Sequence, residues 1–285
     1  MVETRNRLYV DAGNTMVKLL PSLADAVPDW QNLLPAVRSV PGDQWASLDQ
    51  AIEHLQDIAP AMQHPGAYPV VHMCSVRGPA FEQVIREACT QLGWSLQVMQ
   101  VQNNTLLQTQ YKQATQLGKD RWAACLAVAA ATSSKANLVV SFGTATTLDA
   151  VVHASLLSQG RESFSAKWVH LGGFIVPGVD TMLNSLAHAT AQLPKAALDW
   201  VDWPNTTEQA IGAGVARQQI SMVRDVMQAL RSETGQTAPT LWCTGGHAVR
   251  LLPALLTLGC PVESFEHAVL RGLWLGQQLD PGVEQ

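Results

Sequence analysis

The sequence predicts an α/β protein, with helices packed on a parallel or mixed sheet and the pattern laid out twice. Three observations carry this. Short apolar segments alternate with helical ones in β-α-β order through the first half, and a strand, tight turn and strand restart the pattern past residue 134. The 285 residues suffice for two domains at about 150 residues each.

The elements follow in order. Leu8 to Leu20 is two apolar runs flanking a polar, Gly-containing turn, which reads as strand, turn, strand. After a Pro- and Gln-rich stretch a helix is expected near Trp45 to Ile58, then a buried strand at Pro69 to Ser75. Pro79 to Leu92 reads as a helix with proline in its first turn, and Ser95 to Val101 as a strand. Lys119 to Thr132 is an Ala-rich helix, and Ser133-Ser134-Lys135 after it sets the expected domain boundary, giving 1–134 and 135–285.

Asn137 to Val152 repeats the strand, turn, strand pattern, and Asp11 to Gly13 aligns with Ser141 to Gly143 at an offset of 130 residues. That hints at an internal duplication, although glycine in a hairpin turn is also ordinary turn chemistry. Downstream, a strand near Lys167 to Leu171, a turn at Gly172-Gly173 and a helix from Val179 to Ala189 are expected. A long helix from Thr207 to about Glu233, a strand at Thr240 to Cys243 and a helical C-terminus ending near Leu279 complete the chain.

Composition excludes several classes. With 18 Lys+Arg against 23 Asp+Glu the net charge is -5, which does not suit a nucleic-acid binder. The longest strongly apolar run, Trp122 to Ala131, falls short of the roughly 20 residues of a membrane span. Met1 to Arg5 lead into the first strand without the apolar region of a secretory signal, so a cytoplasmic protein is expected. The five cysteines form no Cys-x-x-Cys pair and read as reduced. Among eight histidines, His72-x-Cys74 is too little for a zinc site, and no structural metal is expected.

Five stretches could carry chemistry. Asp11 precedes Gly13, Asn14 and Thr15; such a turn makes a concavity of N–H groups suited to phosphate, with a carboxylate placed to hold Mg2+, or it is a plain hairpin with an Asx-type turn. Gly143-Thr144-Ala145-Thr146-Thr147 sets three hydroxyls beside one glycine, and the two turns together favour a bound nucleotide. Gly118-Lys119-Asp120-Arg121 opens the Ala-rich helix. Asp120 there is either a partner for the helix dipole or a general base toward a hydroxyl, with Arg121 binding a carboxylate. Gly172 to Gly178 packs three glycines and a proline into a strand-to-helix connection. Thr244-Gly245-Gly246 ends a strand, where a flat base can slide against bare backbone. There is neither a Gly-x-x-x-x-Gly-Lys-Ser/Thr loop nor a Gly-x-Ser-x-Gly elbow.

Taken in order, Asp11 to Lys18, Gly118 to Arg121, Gly143 to Thr147, Gly172 to Gly178 and Thr244 to Gly246 resemble the type III pantothenate kinases over nearly the whole chain. The resemblance implies the duplicated two-domain fold of acetate and sugar kinases and actin (ribonuclease H-like), with an actin-like half on each side of the boundary. It also implies a homodimer, and ATP-dependent phosphorylation of pantothenate at its 4′-hydroxyl, the first step of coenzyme A biosynthesis. It places ATP on Asp11, Ala12, Gly13, Asn14, Thr15, Met16, Val17, Lys18 and Thr144, with Asp11 near Mg2+. It makes Asp120 the catalytic base and places pantothenate on Tyr111, Gly118, Lys119, Asp120, Arg121 and Thr207. Many members have Asp where this chain has Ser141, a position that looks like a ligand for activating potassium or ammonium; a hydroxyl is the weaker ligand. The family has also been named for an accessory factor in bacterial virulence regulation. A non-catalytic protein on the same fold, and a superfamily kinase for another hydroxyl compound, are therefore the alternatives.

Overall fold

The computed structural model describes residues 7–22, 30, 36–62, 69–157 and 164–279. The N-terminal residues Met1 to Arg5, and part of the Pro- and Gln-rich stretch, lie outside these. The elements run β1 (Arg7–Ala12), β2 (Met16–Ser22), β3 (Arg38–Pro41), α1 (Leu48–Ile58), β4 (Val70–Ser75), α2 (Pro79–Gln91), β5 (Ser95–Val98), β6 (Leu107–Thr109) and α3 (Lys119–Ala131). They continue as β7 (Ala136–Phe142), β8 (Ala145–His153), β9 (Trp168–Pro177), α4 (Val179–Ala189), α5 (Thr207–Thr234), β10 (Thr240–Thr244), α6 (Ala248–Leu255), β11 (Val262–Ser264) and α7 (Ala268–Leu279).

By contact the chain divides into two units, neither of them one continuous stretch. The first gathers Met1–Gln102, Thr115–Ala127 and His267–Gln285, and the second Asn103–Ala114 and Val128–Glu266. The boundary expected after residue 134 is a single cut, whereas the contacts carry Asn103–Ala114 to the second unit and return His267–Gln285 to the first.

The first unit holds a sheet of order β3-β2-β1-β4-β5, with β1 antiparallel to β2 and parallel to β4. Both faces of β1 and β4 are covered, which explains why these strands read as unbroken apolar runs. On one face α1 and α2 supply Leu55, Ile58, Phe81 and Ile85. On the other, α7 and α3 meet Tyr9, Leu20 and Cys74 through Leu270, Leu273, Trp274 and Ala123. Helix α1 begins with a capping box, Ser47 Oγ accepting from Gln50 N–H while the Gln50 side chain returns to the Ser47 amide. Its start is thus legible in four residues of sequence.

The second unit holds β11-β10-β7-β8-β9-β6. Read as β9-β8-β7-β10-β11, five of these strands repeat the order and the parallel or antiparallel sense of the first sheet, and β6 is added outside β9. The duplication hinted at by two turns is therefore a duplication of topology, and the chain has the duplicated α/β architecture that the resemblance implies. Helix α5 packs its apolar face, including Ile220, Val223 and Met227, on this sheet.

Two expectations are corrected. Gly172-Gly173 is not a turn: β9 runs from Trp168 through Pro177, and these glycines lie inside it at a bulge, where Ala150 pairs with Gly172 and Val151 with His170. Gly172 has φ +137, which a residue with a Cβ rarely adopts, so the glycine there serves the bulge. The strand expected to reach Val101 ends at Val98. Among the described residues no helix is long and apolar enough to cross a membrane.

Candidate active site

Strands β1 and β4 run parallel, and at their carboxyl ends Asp11 pairs with Cys74 and Ala12 with Ser75. Such ends are where open α/β sheets bind ligands. Asp11 faces Lys18 across the β1–β2 hairpin, with Lys18 Nζ 3.6 Å from Oδ2. Asp11 is 9% exposed. Burial pushes its pKa up and the negative charge of Asp120 adds to the rise, while Lys18 pulls it down; the net direction is upward. Asp11 and Asp120 thus feel each other's charge within one unit although 109 positions separate them.

The turn between β1 and β2 exposes Asn14 and Thr15, while Ala12 and Val17 point into the core and can offer a ligand only their backbone. Its carbonyls are held from behind. Arg77, just past β4, donates from Nη1 to the carbonyls of Gly13 (3.3 Å) and Asn14 (3.1 Å) and from Nη2 to that of Gly42 (2.8 Å). Its guanidinium lies 4.6 Å over the Phe81 ring. Gly42 N–H in turn donates to the Thr15 carbonyl at 2.8 Å. Sequence reading singled out neither Arg77 nor Gly42.

At the start of α3, Asp120 Oδ1 accepts from the Arg121 amide at 2.8 Å, which satisfies one of the helix's unpaired N–H groups. The helix-dipole reading of Asp120 and its placement near Asp11 therefore coexist. Lys119 pairs with Glu82 of α2 at 2.8 Å, and Arg121 is buried at 6% exposure. The charges of Asp11, Asp120, Lys119 and Glu82 all bear on Cys74, whose thiol is raised well above its ordinary pKa, chiefly by burial. All four groups belong to the first unit.

In the second unit, Thr144 is exposed in the turn between β7 and β8. Its carbonyl accepts from Gly178 N–H (3.0 Å) and Thr181 Oγ1 (2.9 Å), fastening the turn to the start of α4. A Cβ on Gly178 would stand 2.6 Å from the Thr144 carbonyl oxygen, so close approach explains this glycine. Gly245 likewise lies against the backbone of Phe142, which is a packing role for a residue read as a surface for a base. Ser141 is half-buried in β7, paired with Thr147.

Tyr111 is half-exposed, its ring 5.6 Å from that of His170. Its amide donates to Thr109 Oγ1 (3.2 Å), which lies 2.9 Å from His170 Nδ1, and His170 Nε2 lies 2.8 Å from Asp149 Oδ1. The bulge builds this row. In unbroken register, with Leu171 paired to Val151 and no bulge, His170 would stand opposite Val152, on the other face of the sheet from Asp149. Thr207 is exposed at the first position of α5, whose N-cap Thr206 accepts from Gln209 N–H at 3.2 Å. Of the expected pantothenate residues, Gly118 to Arg121 belong to the first unit, and Tyr111 and Thr207 to the second.

The family model described as type III pantothenate kinase matches residues 7–229. A type III pantothenate kinase of Cupriavidus taiwanensis is 32% identical, the match covering 94% of this chain and 96% of that one. Another from Cupriavidus pinatubonensis is 31% identical over 93% and 96%. Among solved structures, one described as a Baf family transcriptional activator from Campylobacter jejuni superposes with a TM-score of 0.57 at 18% identity, covering 97% of this chain and all of that one, a likeness of fold.

Proposed function

The chain belongs to the type III pantothenate kinase family, and from that premise we propose that it transfers the γ-phosphoryl group of ATP to the 4′-hydroxyl of pantothenate, the entry step of coenzyme A biosynthesis. The observation that carries the reading is Asp11, buried at the carboxyl end of β1 beside the backbone turn and Lys18, in the same unit as Asp120.

Phosphoryl transfer asks a protein mainly for positioning and charge neutralisation. The turn from Gly13 to Thr15 offers backbone N–H groups and two exposed polar side chains to the ATP phosphates, and Lys18 offers a cation already drawn toward Asp11. The family resemblance assigns Thr144 to the nucleotide as well. Mg2+ suits this donor set: Asp11 is a hard oxygen ligand kept above its ordinary pKa by burial and by Asp120, and a divalent cation relieves both effects. When bound with ATP, the ion neutralises phosphate charge.

Asp120 accepts the proton of the 4′-hydroxyl as that oxygen bonds to the γ-phosphorus; the bond to the bridging oxygen breaks and ADP leaves. Arg121 takes the pantothenate carboxylate, with Gly118 and Lys119 beside it in sequence in the first unit, and the family resemblance assigns Tyr111 and Thr207 of the second unit to the same substrate. A buried guanidinium suits a planar anion because its donors form a fixed fork. The protein acts as a cytoplasmic homodimer, and its activation by potassium or ammonium is weakened by Ser141.

ADP formation by purified protein with MgATP, with and without pantothenate and with and without potassium or ammonium, tests the reading. Pantothenate-dependent turnover is expected, with little dependence on the monovalent ion. ADP formed equally without pantothenate, or none under any ion, would refute the substrate.

A further inference from the structure

We infer that Arg77 is a positioning residue for ATP: with Gly42 it orients the peptide planes of the β1–β2 turn so that their N–H groups face the phosphates. The inference rests on the kinase reading above and adds to it a device outside the motifs that suggested that reading.

Three successive carbonyls of the turn are spoken for on one side. Those of Gly13 and Asn14 accept from Arg77, and that of Thr15 accepts from the amide of Gly42. A trans peptide is planar, and its N–H points opposite its C=O. Holding the carbonyls of Gly13 and Asn14 against the guanidinium therefore turns the amides of Asn14 and Thr15 away from it, and the Gly42 contact does the same for the amide of Met16. Successive N–H groups aimed to one side form the concavity that binds anions. Three-residue turns have other conformations, in which these planes alternate, and Arg77 selects against them.

The guanidinium is itself held. It is stacked on Phe81, and it bonds a third carbonyl, that of Gly42, at 2.8 Å. Gly42 also supplies the room: a Cβ there would overlap Arg77 Nη1 and the Asn14 carbonyl oxygen. One residue from the β4–α2 connection and one from the β3–α1 connection thus converge on the back of the turn. The two terminal nitrogens of the guanidinium reach the turn and Gly42 together, whereas a lysine ammonium presents a single nitrogen and, although charged and long enough to lie on Phe81, is a poor substitute.

The test uses the full-length protein, its Arg77→Lys variant and its Gly42→Ala variant. Calorimetric Kd for MgATP, the KM for pantothenate and thermal unfolding are measured on each. With the turn no longer pre-organised, the Kd for MgATP is expected to rise about 10-fold or more in both variants, with the KM for pantothenate within about 2-fold of wild type. Wild-type Kd in both variants would overturn the inference while leaving the kinase reading standing. So would equal losses for both substrates together with a lowered Tm, since that is a folding defect. Wild-type protein that binds no MgATP would overturn the kinase reading and this inference with it.

Discussion

Gly272→Ala separates two effects of opposite sign. Gly272 lies in the middle of α7, and exchanging glycine for alanine inside a helix ordinarily gains about 1 kcal/mol. Here the added Cβ would stand 2.8 Å from Ala123 Cα and closer still to the Ala123 carbonyl, whereas carbon atoms settle at about 3.5–4.0 Å. The obstacle is the main chain of α3, which no rotamer change relieves, so α7 and α3 must part by about 1 Å. Overpacking of this kind costs about 1–3 kcal/mol, at the upper end when backbone must move, which leaves a net loss of about 2 kcal/mol after the helix gain. At about 2–4 °C per kcal/mol for a chain of this size, Tm should fall by about 5 °C. Ala123 is one turn beyond Asp120 on α3, and a displacement near 1 Å at a catalytic group can lower turnover about 100-fold. Gly214→Ala is the control. That glycine is exposed in α5 with open space around it, so alanine should raise stability by about 0.5–1 kcal/mol. Differential scanning calorimetry and steady-state kinetics on both variants decide the matter. If Gly272→Ala raises Tm as Gly214→Ala does and leaves kcat unchanged, the close approach of α7 to α3 does not hold Asp120 in place.

Four further outcomes are expected. Asp120→Asn should lower kcat by roughly 10²- to 10⁴-fold, the range for a positioned base, and near-wild-type turnover would remove it from that role. Arg121→Ala should chiefly raise the KM for pantothenate; an effect on the KM for ATP instead would mean that it binds another group. Asp11→Asn should abolish MgATP turnover and yet raise Tm at pH 7. A carboxyl whose folded pKa is raised contributes its stability below its ordinary value of 3.8 and loses it as pH rises through the folded value, so at neutral pH the charged form is a burden that Asn removes. His72, stacked on Tyr9 at 5.3 Å, is lowered from 6.5 to about 4, mainly by burial, with Arg7 adding to it. Its contribution is present above pH 6.5 and lost as pH falls toward 4, up to about 3 kcal/mol at about 1.36 kcal/mol per pK unit. His72→Phe, which keeps the stacked ring, should therefore flatten the fall in Tm between pH 7.5 and 4.5.

The parts of the fold that sequence reading recovered are those with strong local signals. Helix α2 announces itself by its first-turn proline and β1 and β4 by apolar runs, while α1, expected from near Trp45, starts at Leu48 behind a Ser47–Gln50 capping box that the expectation did not use. The short strands β3, β6 and β11 escaped because three or four residues carry no readable period. Gly172-Gly173 misled because glycine marks a bulge as readily as a turn, and only the pairing of β8 with β9 distinguishes them. In the candidate site, the turn at Asp11 and the Gly118 to Arg121 segment were legible as motifs. Arg77, Gly42 and Glu82, and the row Thr109, His170 and Asp149, were not, since each acts on residues remote in sequence and carries no motif of its own.

By itself the sequence determined the class of the fold, the places where chain reversals expose backbone, and the residue types available for phosphate and carboxylate chemistry, because propensity and turn chemistry act over a few residues. Tertiary structure alone decided that one strand order is used twice and that the C-terminal helix returns to the first unit. It also decided that Asp11 and Asp120 share an electrostatic environment and that one arginine holds the back of the turn. The physical reason is the same for each: burial, charge coupling and the direction of a peptide plane depend on which distant segments the sheets bring side by side, and no local pattern specifies that.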